Sequence, residues 1–236
     1  MIIIRRIVLI LAICLANGTV IAASPQGQHE TRTVWDAVMQ FGDKVAARLM
    51  PRFQFAEVSW PPRAVTLLAL KDTRLLELWA QDRKGAWRHV RDYRIKGMSG
   101  GKGPKLREGD RQVPEGLYRI TMLNPNSSYH LSMKLDYPNA FDRAQASFEG
   151  RTDLGGDIFI HGKTVSRGCI AVGDNAMEEL FVMTALLGAD KVSVLISPRD
   201  YRFRPLEPLD ADTPNWVREL NERIAFNIRR FPLHRK

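Results

Sequence analysis

Ala64-Val-Thr-Leu-Leu-Ala-Leu70, Arg74-Leu-Leu-Glu-Leu-Trp-Ala80 and Trp87-Arg-His-Val-Arg-Asp-Tyr-Arg-Ile95 are three short runs rich in apolar residues, and a turn containing Arg83-Lys84-Gly85 joins the last two. Such runs bounded by turn residues read as strands, and their close succession reads as a meander. Further strands are expected at 116–123, 129–135, 157–161 and 191–197. Residues 97–116 hold six glycines and two prolines, which is loop composition. Apolar residues recur at helical spacing in three places. Val34, Ala37, Val38, Phe41, Val45 and Leu49 follow a possible N-cap at Thr33 and precede Pro51, where the helix is expected to stop. Met177, Leu180, Phe181 and Thr184 lie between Asp174 as N-cap and Gly188 as terminator, and Val217, Leu220, Ile224 and Ile228 follow Thr213-Pro214. Trp60-Pro61-Pro62 reads as a linker. Strands and helices do not alternate regularly, so the expected fold is mainly β, one largely antiparallel domain with a few packed helices.

The chain of 236 residues is 44% hydrophobic and 26% charged with a net charge of +9, a balance that supports one sizeable core. It excludes a disordered tail, a collagen and a polytopic membrane protein. Arg5 and Arg6, the apolar run Ile7 to Ala16 and the small residues before Ser24 have the layout of a secretory signal peptide. The expected division is a signal peptide over 1–22, an N-terminal helical segment and linker over 23–62, the main β domain over 63–198 and a C-terminal helical extension over 199–236. Signal removal would take away Cys14, leaving Cys169 as the one cysteine; if uncleaved, this segment would be the membrane contact. Two cysteines, neither in a Cys-x-x-Cys pair, exclude a disulfide framework and make metal sites weak candidates.

Chemistry concentrates in Asp157-Ile-Phe-Ile-His161-Gly162-Lys-Thr-Val-Ser166-Arg167-Gly168-Cys169. An apolar strand delivers His161 to its end, and a short loop with Gly168 before the cysteine lets imidazole and thiol face each other. A nearby imidazolium favours the thiolate, which attacks carbonyl carbon, and amides around Cys169 could hold the resulting oxyanion. The bland alternative is a buried core cysteine beside a hydrogen-bonded strand-end histidine.

His-Gly followed by Ser-Arg-Gly-Cys-Ile resembles the active-site signature of the L,D-transpeptidase (YkuD) family, cysteine acyltransferases that act on bacterial peptidoglycan stem peptides. Gly101-Lys-Gly-Pro-Lys-Leu-Arg-Glu-Gly-Asp110, Val113-Pro-Glu-Gly-Leu-Tyr118 and Tyr137-Pro-Asn-Ala-Phe-Asp-Arg143 resemble further family segments. The short spacing from His161 to Cys169, and Ala171 where the family usually carries arginine, are similar to its YafK-type branch. The resemblance implies a β-sandwich-like catalytic domain with Cys169 as nucleophile, His161 as base, the Gly162 carbonyl orienting the imidazole and the Gly168 and Cys169 amides as oxyanion hole. It implies no metal or organic cofactor, a periplasmic location after secretion across the inner membrane, and acylation of the cysteine by carbapenems.

Between Arg83 and Arg119, eleven Lys or Arg stand against four Asp or Glu. Lys102, Lys105, Arg107 and Arg111 on the glycine-rich loop could attract a substrate bearing carboxylates, although a solvated basic face reads equally well. Ser166 is expected to shape the catalytic loop, Arg167 and Arg143 to fork onto a carboxylate, and Tyr137 to line the groove. Nucleic acid is not an expected partner, because no binding module accompanies the basic run. Three functions compete. The first is an L,D-transpeptidase passing a stem-peptide acyl group from diaminopimelate to an amine. The second is a hydrolase that cleaves the bond from diaminopimelate to a linked lipoprotein or amino acid. The third is a non-catalytic wall-binding module.

Overall fold

The computed structural model describes residues 31–232. The expected signal segment with Cys14, and the basic tail residues Arg235 and Lys236, lie outside the described residues.

Helix α1 (Val34–Phe55) starts as its sequence requires. Thr33 accepts from the Asp36 amide, and the Asp36 carboxylate accepts from the Thr33 amide, a reciprocal cap that satisfies two otherwise orphaned donors. Its end differs from expectation, for Pro51 lies inside the helix. Proline removes one intrahelical bond and costs ~3 kcal/mol. Beyond it, however, Phe53 is fully buried with its ring 4.9 Å from that of Trp60, and Val58 is buried after the Val58 amide closes on the Phe53 carbonyl. Two such apolar side chains stabilise by about 1.5–3 kcal/mol each, enough to carry the helix one turn past the proline.

Eight strands form one curled mixed sheet in the order β3-β2-β1-β8-β4-β5-β6-β7. Strands β1 (Val65–Leu70), β2 (Leu75–Gln81) and β3 (Trp87–Arg94) make the expected antiparallel meander, and β8 (Val192–Ser197) lies parallel to β1. Strand β4 (Gly116–Asn124) changes partner along its length. Gly116–Arg119 pairs with β8, and Ile120–Asn124 pairs with β5 (Ser132–Leu135) across a register shift. Strand β6 (Phe159–His161) continues antiparallel to β5, and β7 (Ile170–Ala171) lies parallel to β6.

Helices cover both faces. Leu67 and Ala69 of β1 share a core with α1 and α3 (Asp174–Leu187), whereas Leu68 and Leu70 pack with Leu220, Ile224 and Ile228 of α4 (Trp216–Ile228). Burial on both faces explains why β1 reads as a nearly continuous apolar run, interrupted by Thr66, whose hydroxyl shares a hydrogen bond with that of Ser193. The mainly β reading therefore holds, with parallel pairs at β1·β8 and β6·β7.

Two further differences concern helices. Gly173 occupies the N-cap of α3, and Asp174 becomes its first residue, because the Asp174 carboxylate instead takes the Lys163 amide at 2.7 Å. Helix α2 (Ala140–Phe148), capped reciprocally by Asn139 and Asp142, was not expected from apolar spacing; it buries only Asp142 and Ala146.

Candidate active site

Strands β6 and β7 are three and two residues long, and their parallel register sets the site. Ile160 pairs with Ile170 and His161 with Ala171, and one step earlier Phe159 lies beside Cys169, whose Sγ accepts from the Phe159 amide at 3.4 Å. Paired residues in a parallel ladder share a face, and faces alternate along the strand. Ile160 and Ile170 therefore go to the core, both fully buried. His161 and Cys169 share the other face, two residues apart along the ladder and one strand across, roughly 8 Å between Cα atoms. Both line one cavity of about 310 Å³.

His161 is held by its own chain. Its Nδ1 lies 2.7 Å from the Gly162 carbonyl oxygen. A carbonyl only accepts, so Nδ1 carries the proton and the neutral ring keeps its lone pair at Nε2. Burial pushes the imidazole below its ordinary pKa, and the Gly162 contact opposes that. The Tyr129 ring covers the imidazole at 4.6 Å between centroids. Gly162 admits no side chain, because a Cβ there would sit 2.6 Å from the Tyr129 carbonyl oxygen and 2.7 Å from Asp174 Oδ1.

Burial raises the Cys169 thiol, and the Asp157 charge adds to this, while the Phe159 amide and Lys105 oppose it. The sulfur lies 3.7 Å from the Asp157 carbonyl, to which the thiol donates. Burial thus works against charge on both thiol and imidazole, and among the described residues no hydrogen bond joins them.

The two amides expected to bind an oxyanion are already engaged. The Gly168 amide donates to Ser99 Oγ at 2.6 Å, and Ser99 in turn donates to the Arg111 carbonyl. The Cys169 amide donates to Ser166 Oγ at 3.0 Å, and that hydroxyl returns a bond to the Cys169 carbonyl. Gly168 is required by its φ of 88° and not by space, since a Cβ would meet nothing closer than 3.9 Å.

Of the expected contact residues, Ser166 and Arg167 line the cavity, and Arg167 is exposed with no ion-pair partner among the described residues. Arg143 and Tyr137 are not brought there. Arg143 sits on α2 and donates to the Pro138 carbonyl. Tyr137 is buried, and its hydroxyl lies 3.3 Å from the Lys105 carbonyl and 3.2 Å from that of Leu154, so it ties the glycine-rich loop to the segment before β6. The basic loop is also more structural than expected. Lys105 is buried on Asp110 at 2.7 Å, and Lys102 pairs with Glu207; Arg107 and Arg111 remain exposed.

Sequence reading missed the opposite wall, formed by Asn124, Asn126, Ser127, Ser128, Tyr129 and Ser132. The clue was available. Asn124-Pro-Asn-Ser-Ser-Tyr129 is turn composition leading into β5, and Ser132 pairs with His161, so that turn must sit at the strand end where the histidine emerges.

Residues 64–194 match the family model of the L,D-transpeptidase catalytic domain, YkuD. Over 142 residues the chain is 36% identical to proteins of Escherichia coli strains K12 and O157:H7 that carry the name L,D-transpeptidase YafK. The match takes in 59% of this chain and 55% of theirs, so it spans about half the length of these curated relatives. Among solved structures, the helical cell shape determining protein Pgp2 of Campylobacter jejuni is similar at 23% identity and a TM-score of 0.48, over 71% of this chain and 56% of that one. Bd1075 of Bdellovibrio bacteriovorus is similar at 19% and 0.42, over 74% and 58%.

Proposed function

The chain belongs to the L,D-transpeptidase (YkuD) catalytic domain family, and from that premise we propose that it is a periplasmic peptidoglycan L,D-transpeptidase working through a Cys169 thioester. The observation that carries this reading is the shared face of β6 and β7, which turns one thiol and one imidazole with a free Nε2 into a single cavity.

In the proposed reaction, a stem peptide enters with the carbonyl carbon of its diaminopimelate residue above Sγ. His161 Nε2 takes the thiol proton as sulfur attacks, and the carbonyl oxygen becomes an oxyanion. The Gly168 and Cys169 amides serve that oxyanion only if it displaces the hydroxyls of Ser99 and Ser166, so substrate binding and a small movement of these serines go together. Collapse breaks the C–N bond, the imidazolium returns its proton to the departing amine, and the acyl group remains on sulfur as a thioester. An acceptor amine then attacks, passes a proton to His161 and expels the thiolate, which is reprotonated. The uncharged wall of Asn124, Asn126 and the serines suits the amides of a peptide, and Arg167 is the group free to fork onto its carboxylate.

A second reading replaces the acceptor amine by water, making the protein an amidase that frees an amino acid or lipoprotein linked to diaminopimelate. The cavity's size supports it, for 310 Å³ is at the small end of ligand sites and fits one peptide arm more readily than two. Incubation of the chain with disaccharide peptides and with sacculi, followed by mass spectrometry, separates the readings. Cross-linked or amino-acid-exchanged products support transfer. Release without new amide bonds supports hydrolysis, and neither product from protein with an intact thiol overturns both.

A further inference from the structure

The turn between β4 and β5 carries Tyr129, whose ring covers the His161 imidazole, and Asn126, which lines the cavity of about 310 Å³. Core packing does not fix it. Tyr129 is 44% exposed, and the internal backbone bonding of residues 125–131 is slight, with the Leu131 amide reaching the Tyr129 carbonyl at 3.1 Å. A side chain that the core does not hold takes its position from its backbone, so whatever grips this turn from outside sets where Tyr129 and the cavity wall stand.

The grip comes from Arg32, just ahead of α1. Its Nε donates to the Pro125 carbonyl at 3.2 Å, Nη2 donates to the same oxygen, and Nη2 lies 3.5 Å from the His130 carbonyl. The Arg32 backbone pairs with the Asn126 side chain in both directions, its amide donating to Oδ1 at 3.0 Å and its carbonyl accepting from Nδ2 at 2.7 Å. Both ends of the turn are thus held, while Lys163 Nζ from the catalytic loop takes the Ser128 carbonyl between them at 2.7 Å. Arg32 is itself fixed by the first two turns of α1. Its Nη1 donates to Gln40 Oε1 at 2.7 Å, and its guanidinium lies 5.8 Å from the ring centroid of buried Phe41, whose ring meets that of His130 at 5.3 Å. Only a planar fork sends donors to Pro125, His130 and Gln40 in fixed directions; a lysine ammonium in its place is a single point on a flexible stem.

We propose that Arg32 is a positioning residue for the Cys169–His161 site, clamping the turn from Pro125 to His130 so that Tyr129 stays over the imidazole and Asn126 stays on the cavity wall. Arg32 takes this role with Cys169 and His161 as the reacting pair, the reading on which this inference rests. It lies outside residues 64–194, which match the catalytic domain, so the segment before α1 becomes part of the working site. Without the clamp the turn moves outward, water reaches the imidazole and the cavity loses one wall. The thiol keeps its own contacts to Phe159 and Asp157.

The test compares the full chain with its Arg32→Ala, Arg32→Lys and Asp36→Ala variants in two readouts. One is the rate of carbapenem adduct formation against carbapenem concentration, by intact mass. The other is the titration of the His161 ring followed by NMR, assigned with His161→Gln. In Arg32→Ala the second-order adduct rate should fall about tenfold, mostly through a higher half-saturating concentration, because the wall that receives the ligand is displaced. Iodoacetamide labelling, which needs only the thiol, should change by less than about twofold. The His161 titration should move up toward the ordinary value of about 6.5 as burial of the ring is relieved. Arg32→Lys should fall between, and it carries the decision if the alanine variant fails to fold. Asp36→Ala, which breaks the cap of α1 but leaves the fork, should lower stability with both readouts near those of the parent chain. An unmoved His161 titration in Arg32→Ala, or Asp36→Ala shifting both readouts as far, would overturn the clamp. If the parent chain forms no adduct, Cys169 loses its assigned role, and the His161 titration still decides whether Arg32 holds Tyr129 in place.

Discussion

The two halves of the sheet are built differently. On one side β1, β2, β3 and β8 are six to eight residues long, pair along their length with one register shift between Leu78 and Trp79, and bury their apolar side chains against helices. On the other, β5, β6 and β7 have four, three and two residues, and much of their geometry depends on side-chain bonds to backbone from Ser99, Ser166, Tyr137 and Asp174. Long strands hold the fold by area. Short strands hold a thiol and an imidazole by specific hydrogen bonds, which give up less stability when broken but fix position more finely.

Substitutions on the two sides should therefore fail in different ways. The largest expected effect is that of Cys169→Ala, which should abolish the covalent adduct with a carbapenem, read as a mass increase on the intact protein, while leaving the melting temperature nearly unchanged. Labelling that survives the substitution would remove Cys169 from the chemistry. In the long-strand half, Leu67→Ala should lower the unfolding free energy by about 2–5 kcal/mol in denaturant titration while the folded fraction still forms the adduct. If Leu67→Ala left stability intact and Cys169→Ala did not, the contrast between the halves would be wrong.

Smaller effects come from the groups that position the pair. Gly162→Ala forces a Cβ against the Tyr129 carbonyl and Asp174, so the adduct should form on the order of ten- to a hundredfold more slowly, with modest destabilisation. The pH dependence is subtler. Because the resting thiol is raised, iodoacetamide labelling of Cys169 should climb only above the ordinary cysteine pKa of about 8.5, with no plateau at lower pH. A plateau near pH 6 would reveal a standing thiolate–imidazolium couple. His161 has a lowered folded pKa, so its neutral form favours the fold. That contribution is complete above the unfolded value of about 6.5 and is lost as pH falls through the lower folded value, which His161→Gln should make flatter in a stability profile.

The long-strand half was readable because burial writes itself into composition. β1 to β3, β8 and the stripe on α4 all carry enough apolar residues to mark their ends within a residue or two. That His161 and Cys169 could face each other was legible from their spacing and from Gly168, while the roles expected of them came from the family resemblance. What was not legible depends on contacts distant in sequence. Pro51 is overruled by Trp60, and Tyr137 and Arg143 lie outside the cavity because α2, which buries little apolar surface, follows directly after Pro138. The amides of Gly168 and Cys169 looked free in sequence, yet Ser99, far upstream, reaches back to one of them.

Strand β8 lies between β1 and β4, so the sheet is joined through a segment that follows Cys169 in the chain. Until residues 192–197 are available, the meander has an open edge at β1, and the half carrying the site has no partner for the start of β4. A chain emerging from its N-terminus would therefore present β1 unpaired on one side, and the start of β4 without its partner, until its last strand arrives.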